Sequence, residues 1–204
     1  GKFESASEGF DSDIPVKVRK DVGVLAGKQV KDIFTAQYHS CALAEGKVYC
    51  WGYNHRGQLG NGRSGPLEHS NVPVEVKGAL AGKTVTAIGG TGDMSFAIAG
   101  GKIYGWGANF KGGLGVGETT PDRYTVPTEL GFNRGGYSLP TNYVATALSL
   151  SGSRSYTMCA IANGAVYCWG QGKTGQLGDP TQKIKSVTVP ILVHGIPGTV
   201  VSVT

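Results

Sequence analysis

Between residues 41 and 60 the chain reads CALAEGKVYCWGYNHRGQLG, with apolar and polar positions alternating on both sides of Glu45-Gly46. A period of two predicts half-buried strands, and a Gly-containing pair between them predicts a tight hairpin. The same segment recurs as FAIAGGKIYGWGANFKGGLG at 96–115 and as CAIANGAVYCWGQGKTGQLG at 159–178. The Trp residues fall at 51, 106 and 169, so the repeat is 55 and then 63 residues long. Self-similarity on this scale marks a solenoid, a propeller or an array.

Each unit has four pieces. A short apolar run comes first: VKDIFTA at 30–36, VTAIGG at 85–90 and VATALSL at 144–150. The hairpin follows, turning at Glu45-Gly46, Gly100-Gly101 and Asn163-Gly164. Such pairs suit two-residue turns because both positions can take positive φ. A loop after Trp-Gly ends in GQLG, GGLG and GQLG, and then come VPVEV at 72–76, VPTEL at 126–130 and VPILV at 189–193. Proline confines that last strand to an edge. Four short antiparallel strands with an edge-tolerant fourth describe one blade of an all-β propeller. The chain then divides into an acidic tail with the last strand of a partial blade (1–29), blade 1 (30–84), blade 2 (85–143, with an insertion at 131–143), blade 3 (144–198) and the first strand of a following partial blade (199–204). IPVKV at 14–18 with LAGKQV repeats VPVEVKGALAGKTV at 72–85, and VVSVT at 200–204 resembles a first strand without its hairpin. Either the chain is part of a longer propeller or another chain completes it.

The cysteines come in pairs. Cys41 with Cys50 and Cys159 with Cys168 occupy equivalent places, whereas blade 2 has Phe96 and Gly105 there. A turn centred on 45 and 46 sets Cys41 directly opposite Cys50, and the same holds for Cys159 and Cys168. Opposed Cβ atoms about 4.5–5.5 Å apart suit a disulfide. The alternatives are free buried thiols and a Cys₄ zinc site, whose usual spacing of C-x₂₋₄-C differs from the gap of eight found here. Disulfides imply an oxidising compartment.

These features resemble the regulator of chromosome condensation repeat family. The resemblance rests on CALAEGKVYCWGYNHRGQLGNG, its two echoes, the VPV that follows and the apolar strand before each hairpin, and it spans residues 30–193. It implies a β-propeller of four-stranded blades, usually seven. The Cys-bearing YCWG form is similar to repeats of bacterial secreted and surface proteins. The departures are Met94 and Thr157 where the first unit has His39, Gly113 in place of Gln58, the 131–143 insertion and SGSRSYTM before Cys159.

Composition narrows the function. Hydrophobic residues are 40% and charged residues 16%, which excludes a disordered chain. Glycine is 34 of 204 without a G-X-Y period, consistent with many turns. No apolar run is long enough to span a membrane as a helix. The net charge of +5 is carried by scattered Lys and Arg, which suits mildly acidic partners rather than nucleic acid. GQGKTGQ at 170–176 fails the phosphate-loop pattern because Tyr167 stands where its first glycine is needed. His39, His55, His69 and His194 lack ligand spacing, Asp11 and Asp13 form a lone D-x-D in the acidic tail, and no serine lies in G-x-S-x-G. The repeated Trp residues read as packing between blades.

No catalytic residue, cofactor or metal is expected, so the chain reads as a binding module rather than an enzyme. Propeller loops gather on one face, and the candidate contacts are Tyr53, Asn54, His55, Arg56, Arg63, His69, Asp122, Arg123, Tyr124, Arg134 and Tyr137. Their chemistry suits a protein or glycan partner. The expected setting is extracellular or at a cell surface, in adhesion or a surface appendage. A resemblance-based alternative is a secreted inhibitor of an enzyme such as a β-lactamase. A further one is nucleotide exchange on a small GTPase, which disulfides disfavour. If all four cysteines are paired, reduction should add four hydrogens to the intact mass, and no gain in the denaturing mass spectrum would refute the pairing.

Overall fold

A computed structural model describes residues 18, 23–131, 139–150, 156–181 and 184–201. Twelve strands form three antiparallel sheets, each running in chain order from one edge to the other. Blade 1 contains β1 (Val30–Thr35), β2 (His39–Ala44), β3 (Lys47–Gly52) and β4 (Ser70–Glu75). Blade 2 contains β5 (Val85–Thr91), β6 (Met94–Ala99), β7 (Lys102–Ala108) and β8 (Arg123–Glu129). Blade 3 contains β9 (Ala145–Leu150), β10 (Thr157–Ala162), β11 (Ala165–Gln171) and β12 (Ser186–Leu192). The first strands lie against one another in succession, β1 on β5 and β5 on β9. The Pro-bearing fourth strands lie at the outer edges, where a missing N–H breaks no ladder.

The hairpins form where the pattern places them. All six central turn residues, including Glu45 and Asn163, have positive φ. Cys41 pairs with Cys50 and Cys159 with Cys168 in register. Both pairs are disulfide-bonded, with Cα atoms 4.1 Å apart, and no described cysteine is free. That spacing belongs to the close, non-hydrogen-bonded pair of an antiparallel ladder. In blade 2, Phe96 pairs with Gly105. A Cβ added at Gly105 would meet the Phe96 ring at 3.0 Å, so the phenyl group occupies the space that two sulfurs fill elsewhere.

Alternation sorts each hairpin into two faces. Cys41, Leu43, Val48 and Cys50 of blade 1 face forward with Leu59 and Val76. They pack on Ala97, Ala99, Tyr104 and Trp106 of blade 2. Phe96, Ile98, Ile103 and Leu114 of blade 2 pack in turn on Ala160, Ala162, Tyr167 and Trp169 of blade 3. Large apolar groups thus meet small alanines and two aromatic rings at each seam.

The seam tryptophans and several backbone groups are hydrogen-bonded across blades. The Trp106 indole Nε1 donates to the Gln58 carbonyl at 2.9 Å, and Trp169 Nε1 donates to the Gly113 carbonyl at 3.0 Å. These carbonyls belong to the GQLG and GGLG loops. At the rim, Gly62 N donates to Thr125 O and Gly117 N to Thr188 O. At the hairpin tips, Val85 N donates to Gly46 O and Ala145 N to Gly101 O. Val200 N makes the same bond to Gly164 O, so the chain leaves blade 3 along the path of a first strand.

The Trp-Gly pair has a steric cause. The ladder shifts register across each tryptophan, and the following Gly52, Gly107 and Gly170 have φ of 107°, 97° and 90°. A Cβ at Gly52 would lie 2.6 Å from the Tyr38 carbonyl oxygen, so no other residue fits. Trp106→Phe keeps most of the buried ring but removes the donor, and should cost about 1–2 kcal/mol. Cys41→Ala with Cys50→Ala opens a ten-residue loop and should cost about 2.5–3 kcal/mol in the chain-entropy account. Urea unfolding of both variants checks these values, and an unchanged midpoint for Trp106→Phe would refute the seam bond's contribution.

Candidate functional site

The two ends of the arc differ. At one end the chain makes two-residue hairpin turns. At the other end run the long loops 53–69 and 109–122 and the described parts of a third, 172–181 and 184–185. Of the eleven candidate contact residues, Tyr53, Asn54, His55, Arg56, Arg63, His69, Asp122, Arg123 and Tyr124 lie at or beside this loop end. Arg134 and Tyr137 lie outside the described residues. Leu130 and Val144, which bracket the insertion, bond to the second hairpin and the third hairpin turn, at the opposite end.

Asn54 is a brace and not a contact, because its side chain is fully buried. Its Oδ1 accepts from Leu59 N, and its Nδ2 donates to Asn61 Oδ1 and the Arg63 carbonyl. Asn109 repeats this in blade 2, accepting from Leu114 N and donating to the carbonyls of Glu118 and Pro121. The WG-x-N spacing carries this signal in the sequence. Blade 3 has Gly172 at that position, and Leu177 fills the space instead. Blade 3 also has Pro180 where Gly62 and Gly117 donate across the rim, so that bond has no counterpart there.

The loops bring rings and charges together across the seams. Tyr38, which the sequence did not single out, meets Tyr53 edge-on at 6.0 Å, and His55 stacks on Tyr53 at 5.9 Å. Tyr38 and Tyr53 are 56% and 39% exposed, high values for aromatic side chains. Arg56 crosses to blade 2, with its guanidinium 4.8 Å from the centre of the Phe110 ring and Nη1 donating to Asp122 Oδ2 at 3.0 Å. Phe110 meets Tyr156 of blade 3 edge-on at 6.4 Å. Arg123 donates through Nε to Asp122 Oδ1 and through Nη1 to the His55 carbonyl. Tyr124 donates to Glu118, and burial with that bond pushes its pKa up to about 12. Arg63 is ion-paired with Glu68 at 3.7 Å.

Beneath this face lies a buried polar chain at the first seam. His39 Nε2 lies 2.7 Å from Ser95 Oγ, which donates to the same Gln58 carbonyl that takes Trp106. The serine proton is therefore committed to Gln58, and His39 donates from Nε2. This leaves His39 Nδ1 buried without a partner among the described residues. Burial pushes the His39 pKa down to about 3. The Gln58 side chain donates to Asp93, whose pKa is raised by burial, against the pull of Arg56 and His55. Among the described residues no group of three or more His, Cys, Asp or Glu could hold a metal ion. No helix is long and apolar enough to cross a membrane.

The seam tryptophans, the repeated loop braces and the three sheets place the chain among known proteins. Patterns for the Regulator of chromosome condensation (RCC1) repeat match residues 30–58, 45–98 and 163–204. The chain belongs to the RCC1 repeat family. It is 32% identical over 186 residues to the ultraviolet-B receptor UVR8 of Arabidopsis thaliana, covering 87% of this chain and 37% of that protein. It is 32% identical over 165 residues to HERC4 of Rattus norvegicus, named a probable E3 ubiquitin-protein ligase, covering 80% of this chain and 14% of that one. RCC1 repeats therefore occur in enzymes as well as in receptors. The structure of Prp20p from Saccharomyces cerevisiae superposes with a TM-score of 0.65 at 20% identity, over 84% of this chain and 40% of that one. The chain thus spans two fifths or less of each of these proteins.

His39 gives the first seam a pH dependence of known sign. Its folded pKa lies below the unfolded value near 6.5, so the unfolded chain binds the extra proton. Stability should hold above about pH 6.5 and fall by about 1.4 kcal/mol per pH unit below it, down to about pH 3. Asp93 acts in the opposite direction, in the carboxylate range. Between about pH 7 and about pH 5 the loss should be about 2 kcal/mol. Urea unfolding of His39→Gln, which keeps a donor but does not titrate, should show a flatter profile; equal slopes in variant and parent would refute the assignment.

Proposed function

We propose that this chain is a protein-interaction module of a secreted or cell-surface protein, and that it engages its partner through the loop end. The supporting observation is the continuous set of Tyr38, Tyr53, His55, Arg56, Phe110 and Tyr156, held across three blades by ring contacts and backbone bonds. Aromatic and Arg side chains fixed in place lose little conformational entropy on binding and are the usual anchors of protein interfaces. The Prp20p study describes binding to Gsp1p and histones. Protein partners are thus known for this fold, and they are the basis for favouring protein over glycan here. Two disulfides within one chain favour an oxidising compartment over the cytosol. Adhesion or a surface appendage is the role that best joins these features, with a longer parent chain or a second copy completing the propeller.

The test is flow cytometry of the fluorescently labelled chain on bacterial cells, with calorimetric titration against a β-lactamase as the competing arm. Cell binding should be lost after protease treatment of the cells. It should weaken by about tenfold in the Tyr38→Ala/Tyr53→Ala double variant. Binding only to the β-lactamase would establish the inhibitor alternative. Cell binding that survives protease but not glycosidase would replace protein by glycan.

A further inference from the structure

Asp122 is shared. Its two carboxylate oxygens accept from Arg56 Nη1 and Arg123 Nε, both at 3.0 Å, so one negative charge serves two guanidinium groups. Both guanidiniums are held in place. Arg56 lies against Phe110, and Arg123 is tied to the His55 carbonyl. Arg56 uses Nη1 alone for hydrogen bonding among the described residues, which leaves Nε and Nη2 without a protein acceptor. The Arg56 and Arg123 side chains remain 27% and 35% exposed. Lys111, next to Phe110 in the chain, is exposed, and Asp93 lies half-buried within electrostatic reach of Arg56. With Glu118, exposed in the same loop, counted beside Asp93, the wider patch is neutral, and the local excess is that of two guanidinium groups on the one carboxylate of Asp122. At the hairpin end Lys47 pairs with Glu75 and Lys28 with Glu45, whereas Lys77 and Lys83 have no acidic partner among the described residues.

From this we infer that the loop end at the first seam recognises an acidic segment of a protein partner, with a carboxylate bridging Arg56 and Arg123 on the side away from Asp122. The inference rests on the loop end being the contact face. A guanidinium fork matches a carboxylate in a way an ammonium does not. The flanking Phe110, Tyr156, Tyr53 and His55 rings accept the hydrocarbon stems of neighbouring side chains. The +5 charge of the chain favours approach of an acidic partner. Only partial exposure of the two arginines limits competition from water, and their fixed positions reduce the ordering cost on binding.

The probe is a fluorescein-labelled octaglutamate peptide, titrated with the whole chain by fluorescence anisotropy at low and physiological salt. The expected result is saturable binding, weakened by about tenfold or more in Arg56→Gln/Arg123→Gln. Arg56→Lys/Arg123→Lys should recover part of the loss. Lys77→Gln/Lys83→Gln, at the hairpin end, should bind within about twofold of the parent, because those charges are remote. Asp122→Asn frees both guanidiniums and should bind more tightly. That variant decides the matter if the double Gln variant fails to fold, since a merely structural Asp122 would weaken binding when lost. Equal losses from substitutions at the two ends would mean diffuse electrostatics and overturn the inference, as would displacement of the peptide by inorganic phosphate at equal concentration. If octaglutamate fails to bind while cell binding still depends on Tyr38 and Tyr53, the acidic partner is refuted and the contact face stands.

Discussion

The arrangement depends on one hydrogen bond repeated at each seam, from a buried indole N–H to a loop carbonyl of the preceding blade. Trp106 reaches Gln58 and Trp169 reaches Gly113. An indole is large enough to fill the wedge between two twisted sheets, and its single donor selects one depth of insertion. The acceptor must then sit at a fixed height, which requires a loop of fixed shape. That requirement explains why WG, the buried Asn of the first two blades and the closing L-G recur together. The glycine after each tryptophan lets the inner link pass with its carbonyl against the backbone, and Asn54 or Asn109 holds the loop from within.

The disulfides are a local reinforcement and not the basis of the fold. Blade 2 has none, yet its hairpin has the same register as the other two. There the Phe96 ring lies over Gly105 and also meets Trp169 of the next blade at 6.0 Å. A cross-strand disulfide and a Phe–Gly pair solve one packing problem, because each fills the space between close, non-hydrogen-bonded positions facing the next blade. The disulfide also restricts the unfolded chain, whereas the ring adds contact across the seam.

The two seams differ in character although the blades are alike. The first contains the chain His39, Ser95, Gln58 and Trp106, with Asp93 at its end. The second has Met94, Met158 and Gly113 in the corresponding region and is apolar. The buried histidine whose pKa is held down by burial therefore lies at the first seam. The exposed rings and the shared Asp122 lie directly above the first seam, so the polar chain below and the charged patch above occupy one junction. Blade 3 departs further, with Gly172 and Pro180 in place of the brace and the rim donor, and its loop is organised instead by Asp179, which accepts from Thr181 and Ile184.

The blades were legible from local pattern alone. A period of two, Gly-bearing turns and a Pro in the fourth strand are backbone properties, and they returned the strands, the turns and the opposed cysteines because each depends on residues close in the chain. The seam role of the tryptophans was legible too, because repetition implies a shared neighbour. What each side chain meets across a seam was not legible. Asn54 looked like a surface contact until the fold buried it, and Tyr38 carried no signal because its neighbour Tyr53 lies beyond the hairpin. The pairing of Arg56 and Arg123 on Asp122 joins residues more than sixty positions apart, and sequence spacing holds no information on it. The sequence by itself determined the blade, since hydrogen bonding and alternation act over a few residues. Only the tertiary structure decided which faces meet and which charges are shared, because those depend on the angle at which one twisted sheet packs on the next.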